Sequence, residues 1–216
     1  MSILPRVAPQ ALFAFALVMG ISYFIAIRAG FTGADMTAWK GSGVALLAIW
    51  AARHADSTEG WAIAVVLAAG ATGDVLLETH GLITGAVAFL IGHLLAVTLY
   101  ARGRWRRGWP VVAGAAVLVS GVSFALTGGP GVALYAAGLG AMAGAASLGR
   151  FGPLAIAGAW LFVLSDWLIF ARLGPLAHSA IPDWTVWPTY FAGQALIAWG
   201  VVSTLDRPEP APELAV

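Results

Sequence analysis

Long apolar runs broken by short polar clusters extend through almost the whole chain. Gly, Pro and charged residues divide it into eight apolar segments, at about 9–27, 38–52, 61–79, 81–101, 109–127, 131–148, 152–172 and 184–205. Uninterrupted runs of this length exclude strands, and most match the roughly 20 residues a helix needs to cross a bilayer. The second run is the shortest, so a tilted or partly buried helix is expected there. Glu78-Thr79-His80-Gly81 and Thr127-Gly128-Gly129-Pro130 are expected as tight turns between antiparallel helices. The pattern predicts an all-α polytopic membrane protein with eight transmembrane helices over residues 1–205. A Pro-rich polar tail at 206–216 is expected to be disordered. The first run is long enough to be an uncleaved span rather than a signal sequence.

Composition narrows the class. The 216 residues are 60% hydrophobic and only 10% charged, against about 25% charge in soluble domains. The 27 glycines suit closely approaching helices. With no cysteine there is no thiolate nucleophile, disulfide or Cys-type zinc site. The net charge of +1, with no basic stripe beyond the RGRWRR loop, argues against a nucleic-acid partner. Arg6, Arg53, Arg102, Arg104, Arg106, Arg107, Arg150 and Arg207 all fall on one side of an eight-span bundle. Only Arg28, Lys40 and Arg172 fall on the other, so both termini are expected in the cytoplasm, the membrane being the inner one if the source is bacterial. Trp105, Trp109, Trp184 and Trp187 sit at segment ends and read as interface anchors.

Against this background two acids need explaining. Asp74 and Asp166 lie inside apolar segments three and seven, where a charge costs roughly 2.5–3.5 kcal/mol on insertion scales. Under the expected topology they lie ~6 Å and ~9 Å from the outer ends of their helices. Tyr190 and Gln194 are spaced i, i+4 and enter segment eight from the same side. Glu78 is four residues from Asp74, at the mouth of the same face. Thr72 and Ser165 flank the two acids, and His93 lies further in. Together these residues predict one polar cavity opening toward the outer leaflet.

Each also has a purely structural reading. The acids and Gln194 can join helices by hydrogen bonds, with Arg172 as an ion partner for Asp166. His93 can be a satisfied core histidine and Tyr190 a belt residue. Of the four histidines (His54, His80, His93 and His178) only His93 lies well within a span. A catalytic zinc held by Asp74, His93 and Asp166 remains a minority alternative.

The stretch TGDVLLETHGLITGAVAFLIGHLLAVTLY resembles the signature of the YhhN-like lysoplasmalogenase family, GD-x-x-L followed by G-x-x-x-F-x-x-x-H. GAWLFVLSDWLIF is similar to the family's second motif and TYFAGQALIAWG to its third, in the family's order. The chain departs from the pattern where Ala96 and Val97 follow the His93 segment and in the Glu-Thr-His-Gly-Leu turn. The resemblance implies hydrolysis of the vinyl ether bond of a lysophospholipid substrate, with membrane lipid around it and no cofactor. It points to Asp74 and Asp166 as catalytic carboxylates, with His93, Ser165, Tyr190, Gln194, Glu78 and Thr72 as substrate-binding residues and no metal.

That chemistry suits the residues. A vinyl ether hydrolyses by protonation of its β-carbon, so it needs a general acid and a base rather than a serine or cysteine nucleophile. Two carboxyls in unequal surroundings can divide those roles. Asp166 is expected as the acid and Asp74 as the base, the reverse being equally compatible with the sequence. The rival classes are a small proton-coupled transporter and a lipid-binding or structural bundle using the same acids. No internal repeat or Pro-broken helix pair supports the transporter.

Overall fold

The computed structural model describes residues 9–102 and 105–206. Arg6, Arg104, Arg207, the side chains of residues 105–107, and the tail from residue 207 onward lie outside the described residues. Eight helices follow in order: α1 Pro9–Arg28, α2 Ala34–Arg53, α3 Thr58–Thr79, α4 Leu82–Tyr100, α5 Trp105–Thr127, α6 Pro130–Leu148, α7 Gly152–Arg172 and α8 Ile181–Leu205. No strand occurs among the described residues. Six of the helices, α1 and α3 to α7, are long and apolar enough to cross a membrane. The chain is therefore a multi-pass integral membrane protein. Helices α2 and α8, with 20 and 25 residues, match the others in length but are not among those six.

The expected second segment was too short. Helix α2 begins at Ala34, not near residue 38, because Asp35 in its first turn complements the positive end of the helix dipole. Asp35, Thr37 and Lys40 break the apolar run without breaking the helix. At α3, the Ser57 side chain caps the start by accepting a hydrogen bond from the Gly60 amide at 3.1 Å. The two expected tight turns are present. Each turns on a left-handed glycine, Gly81 (φ 85°) before α4 and Gly128 (φ 66°) before α6, which a residue with a Cβ adopts only at a cost.

Sequential helices pack on one another with one exception: α4 leaves α5 and packs on α6. Helix α8 closes the ring against α1, α2, α3 and α7, while α5 stays outside against α6 and α7. The crossing of α7 and α8 is close on both sides. A Cβ placed on Gly158 would lie 2.6 Å from the Gly193 carbonyl oxygen, and one on Gly193 would lie 2.8 Å from that of Gly158. Only glycine fits both sides. Gly193→Val is expected to force the helices apart and cost about 1–3 kcal/mol, seen as a lower melting temperature of the detergent-solubilised protein.

Ion pairs join the helix ends. Lys40 on α2 lies 2.6 Å from Glu78 on α3, and Arg172 on α7 lies 2.9 Å from Asp183 on α8. At the opposite end Arg150 pairs with Glu59. Such partly exposed pairs contribute about 0–1 kcal/mol each, so their main effect is positional. The first two pairs gather the polar ends of α2, α3, α7 and α8 around one opening.

Candidate functional site

Buried acids need partners, and each aspartate has a tyrosine. Asp74 is 2% exposed and accepts a hydrogen bond at 2.7 Å from the Tyr190 hydroxyl on α8. Gln194, one turn along α8, donates its side-chain amide to the same hydroxyl at 3.3 Å. Asp166 is 6% exposed and accepts at 2.7 Å from the Tyr135 hydroxyl on α6. The Tyr135 hydroxyl lies 3.2 Å from His93 Nε2 on α4. Two hydrogen-bonded arms result, one running Gln194–Tyr190–Asp74 and the other His93–Tyr135–Asp166.

An aromatic partition stands between the arms. Phe162 meets the rings of Tyr190 and His93 edge-on, at centroid distances of 5.1 and 4.9 Å. Phe89 meets Phe162 and Tyr190 edge-on, both at 5.9 Å. Such contacts fix ring orientation and contribute about 0.5–1.5 kcal/mol each beyond area burial. They hold Tyr190 beneath Asp74, while the Tyr135 ring meets those of His93 and Phe170 edge-on at 5.7 and 6.2 Å.

Both acids nonetheless face a common cavity of about 270 Å³. Ser165, Tyr190 and Glu78 also line it, with Arg28, Lys40 and Arg172 among its charged residues. A second cavity of about 430 Å³ lies against α4, α6 and α7. Its walls are almost wholly apolar, including Ile83, Val87, Leu90, Leu134 and Leu173. Ile83 and Leu134 at its rim are 81% and 73% exposed, as lipid-facing side chains are. The two cavities share Leu77, Leu82, Phe89, Asp166 and Ile169. Asp166 is the acid that borders both. An amphiphile placed across the pair would have a polar end among charges, an apolar end in a greasy cleft, and its junction at a carboxyl group.

The predicted site residues divide accordingly. Asp74, Asp166, Ser165, Tyr190 and Glu78 share the polar cavity. The Ser165 hydroxyl is engaged, donating to the Val186 carbonyl at 3.2 Å, and so ties α7 to α8. His93 and Gln194 lie behind the cavity and hydrogen-bond Tyr135 and Tyr190, the partners of the two acids. Thr72 does not join them. It is exposed on the outer side of α3, its hydroxyl donating to the Ala68 carbonyl at 2.8 Å. Two residues along a helix is about 200° of rotation, so a neighbour at that spacing from Asp74 faces away.

Other expectations need correction. Arg172 is no partner of Asp166, since it pairs with Asp183. Trp187 is a cavity wall rather than an interface anchor, and its indole donates to the Gly20 carbonyl at 2.8 Å. Asp74, His93 and Asp166 do not converge as metal ligands, nor do any three His, Asp or Glu among the described residues. Tyr135 and Lys40 were missed as site residues. Tyr135 sits in the Ala- and Gly-rich sequence GVALYAAG, where the only available signal is a phenol at the depth of the other polar groups.

A carboxylate has roughly four lone-pair sites, so one phenol on each leaves capacity for substrate or water. The arrangement can therefore give a proton at one carboxyl and receive one at the other.

The YhhN family model matches residues 36–201, a stretch containing Asp74, His93, Tyr135, Asp166, Tyr190 and Gln194. The chain belongs to the YhhN family. No curated protein and no solved structure matches it.

Proposed function

We propose that this protein is a membrane-embedded hydrolase that cleaves the vinyl ether bond of lysoplasmalogens, releasing a fatty aldehyde and a glycerophospho-alcohol. The observation that carries this reading is the meeting of a polar and an apolar cavity at Asp166. A lysoplasmalogen has the matching form: a charged headgroup, a long alkenyl chain, and the scissile group at their junction.

The placement of the acids supports a division of labour. The β-carbon of a vinyl ether lies on the chain side of the bond, and Asp166 is the acid bordering the apolar cleft. Asp166 gives its proton to that carbon as the C=C electron pair forms the new C–H bond. The ether oxygen then shares a lone pair with the adjacent carbon, giving an oxocarbenium ion. Asp74, on the polar side, takes a proton as water adds to that carbon. The hemiacetal collapses when its hydroxyl proton goes to Asp166 and the departing glycerol oxygen takes the proton held by Asp74. Both carboxyls return to their starting states, and no electrons are exchanged with a cofactor. General acid and base contributions of this kind are worth about 10²–10⁴-fold each.

At the mouth, Lys40 and Arg172 are paired with Glu78 and Asp183. Arg28 has no carboxylate partner among the described residues, and its guanidinium lies 5.2 Å from the centroid of the Trp184 ring. It is the cation free to meet the headgroup phosphate. Arg28→Ala is expected to raise KM about tenfold with little change in kcat, a split that steady-state kinetics with a phospholipid substrate would read. In this reading all eight helices span the membrane and both termini are cytoplasmic. The Arg28, Lys40 and Arg172 end then faces outward, and in a bacterial source the membrane is the inner one.

The direct test uses purified protein, a lysoplasmalogen and its saturated ether analogue. Aldehyde from the first and none from the second is expected. A transporter or lipid-binding bundle would release none from either.

A further inference from the structure

We infer that one buried water molecule, held by Tyr100, His93 and Gln194, joins the two hydrogen-bonded arms into a single network. Its site is a small interior cavity of about 20 Å³ that borders neither ion pair nor rim. All three polar side chains line it, among Val66, Phe89 and Met142. A water needs about 10–15 Å³ of such space and two to four polar partners. The cavity has room for one.

The side chains present the right groups. Tyr100 is 2% exposed, and its hydroxyl makes no hydrogen bond to another described residue. The Tyr135 hydroxyl donates to Asp166, so its oxygen accepts from His93 Nε2. That assigns the hydrogen of neutral His93 to Nε2 and leaves Nδ1 an acceptor. Gln194 donates its amide nitrogen to Tyr190, which leaves its carbonyl oxygen an acceptor. A water accepting from Tyr100 and donating to His93 and Gln194 meets all three requirements at once.

Helix α4 explains the cavity. Phe89, His93, Ala96 and Tyr100 recur at helical spacing on one face. Helical side chains lean toward the N-terminus, so Tyr100 reaches back over the small Ala96 toward His93. Tyr100 lines neither of the two large cavities and so cannot touch a substrate in them. Through the water it acts as a positioning residue, fixing Tyr135 beneath Asp166 and Tyr190 beneath Asp74. This catalytic consequence rests on the proposed hydrolase reading. The water itself does not.

Tyr100→Phe separates the outcomes. Removing an unpaired buried hydroxyl leaves stability unchanged or raises it, whereas removing a water's anchor lowers it. The expected result is a melting temperature lower by about 2–4 °C, with kcat for aldehyde release down several-fold and KM unchanged. An equal or higher melting temperature overturns the water. A lower one with unchanged kcat, in a protein that releases aldehyde, overturns the coupling of the arms. If the wild type releases no aldehyde, the hydrolase reading fails and the melting temperature still decides the water. Ala96→Val gives a second reading from the same site. Its added methyl groups stabilise a dry void but displace a bound water, so a rise in melting temperature contradicts the proposal and a fall supports it.

Discussion

Asp166→Asn is expected to lower aldehyde release by about 10³-fold or more, with KM within a few-fold of wild type. The substitution is isosteric, and its amide oxygen still accepts the Tyr135 hydroxyl now 2.7 Å from the carboxylate. What it loses is the one thing the reaction requires there, a proton that can be given to carbon. Among the described residues no other acid borders the apolar cleft, so none of them can substitute. Circular dichroism and melting temperature should remain close to wild type, because an amide in this place leaves no buried charge unpaired. If Asp166 served only to join helices, the amide would do so as well and turnover would persist. Turnover within threefold of wild type would remove Asp166 from the chemistry.

Asp74→Asn is expected to cost less, about 10²-fold. Protonation of a vinyl ether carbon is the slow step, and the resulting cation captures water readily. Loss of the base therefore removes charge stabilisation and an oriented water rather than the step itself. The two variants should also differ in solvent isotope sensitivity. Wild type in D₂O should slow markedly, since the transferred proton comes from solvent by way of Asp166. In Asp74→Asn the later steps become partly rate-limiting, so the slowing should diminish. The opposite ranking, with Asp74→Asn the more damaging and the more isotope-sensitive, would assign the acid role to Asp74.

Much of the fold was legible in the sequence because the bilayer leaves few alternatives. A span must be helical and apolar over a set length, and the eight apolar runs correspond to the eight helices among the described residues, six of them long and apolar enough to cross a membrane. Helix α2 was judged too short because Asp35 and Thr37 end the apolar run, whereas the structure places Asp35 in the first turn of the helix. The acids stood out for the same energetic reason. Relations along one helix were readable: Glu78 does face the cavity with Asp74, and Tyr190 does lie one turn from Gln194. Relations between helices were not. Which phenol serves which carboxylate depends on how each helix is rotated about its axis, and α6 carries no pattern that shows this. Tyr135 was therefore missed, and Thr72 was included on sequence nearness alone. The pairing of a polar cavity with an apolar one was likewise hidden, because it depends on α4 leaving α5 to pack on α6.

Transfer of a proton to the chain-side carbon of the vinyl ether is the step on which the account depends most. The measurement that reaches it is product mass after turnover of a lysoplasmalogen by the purified protein in D₂O, with the aldehyde reduced at once to its alcohol. One deuterium on the carbon next to the former carbonyl is the predicted result. An aldehyde carrying none at that carbon, or no aldehyde at all, would contradict it.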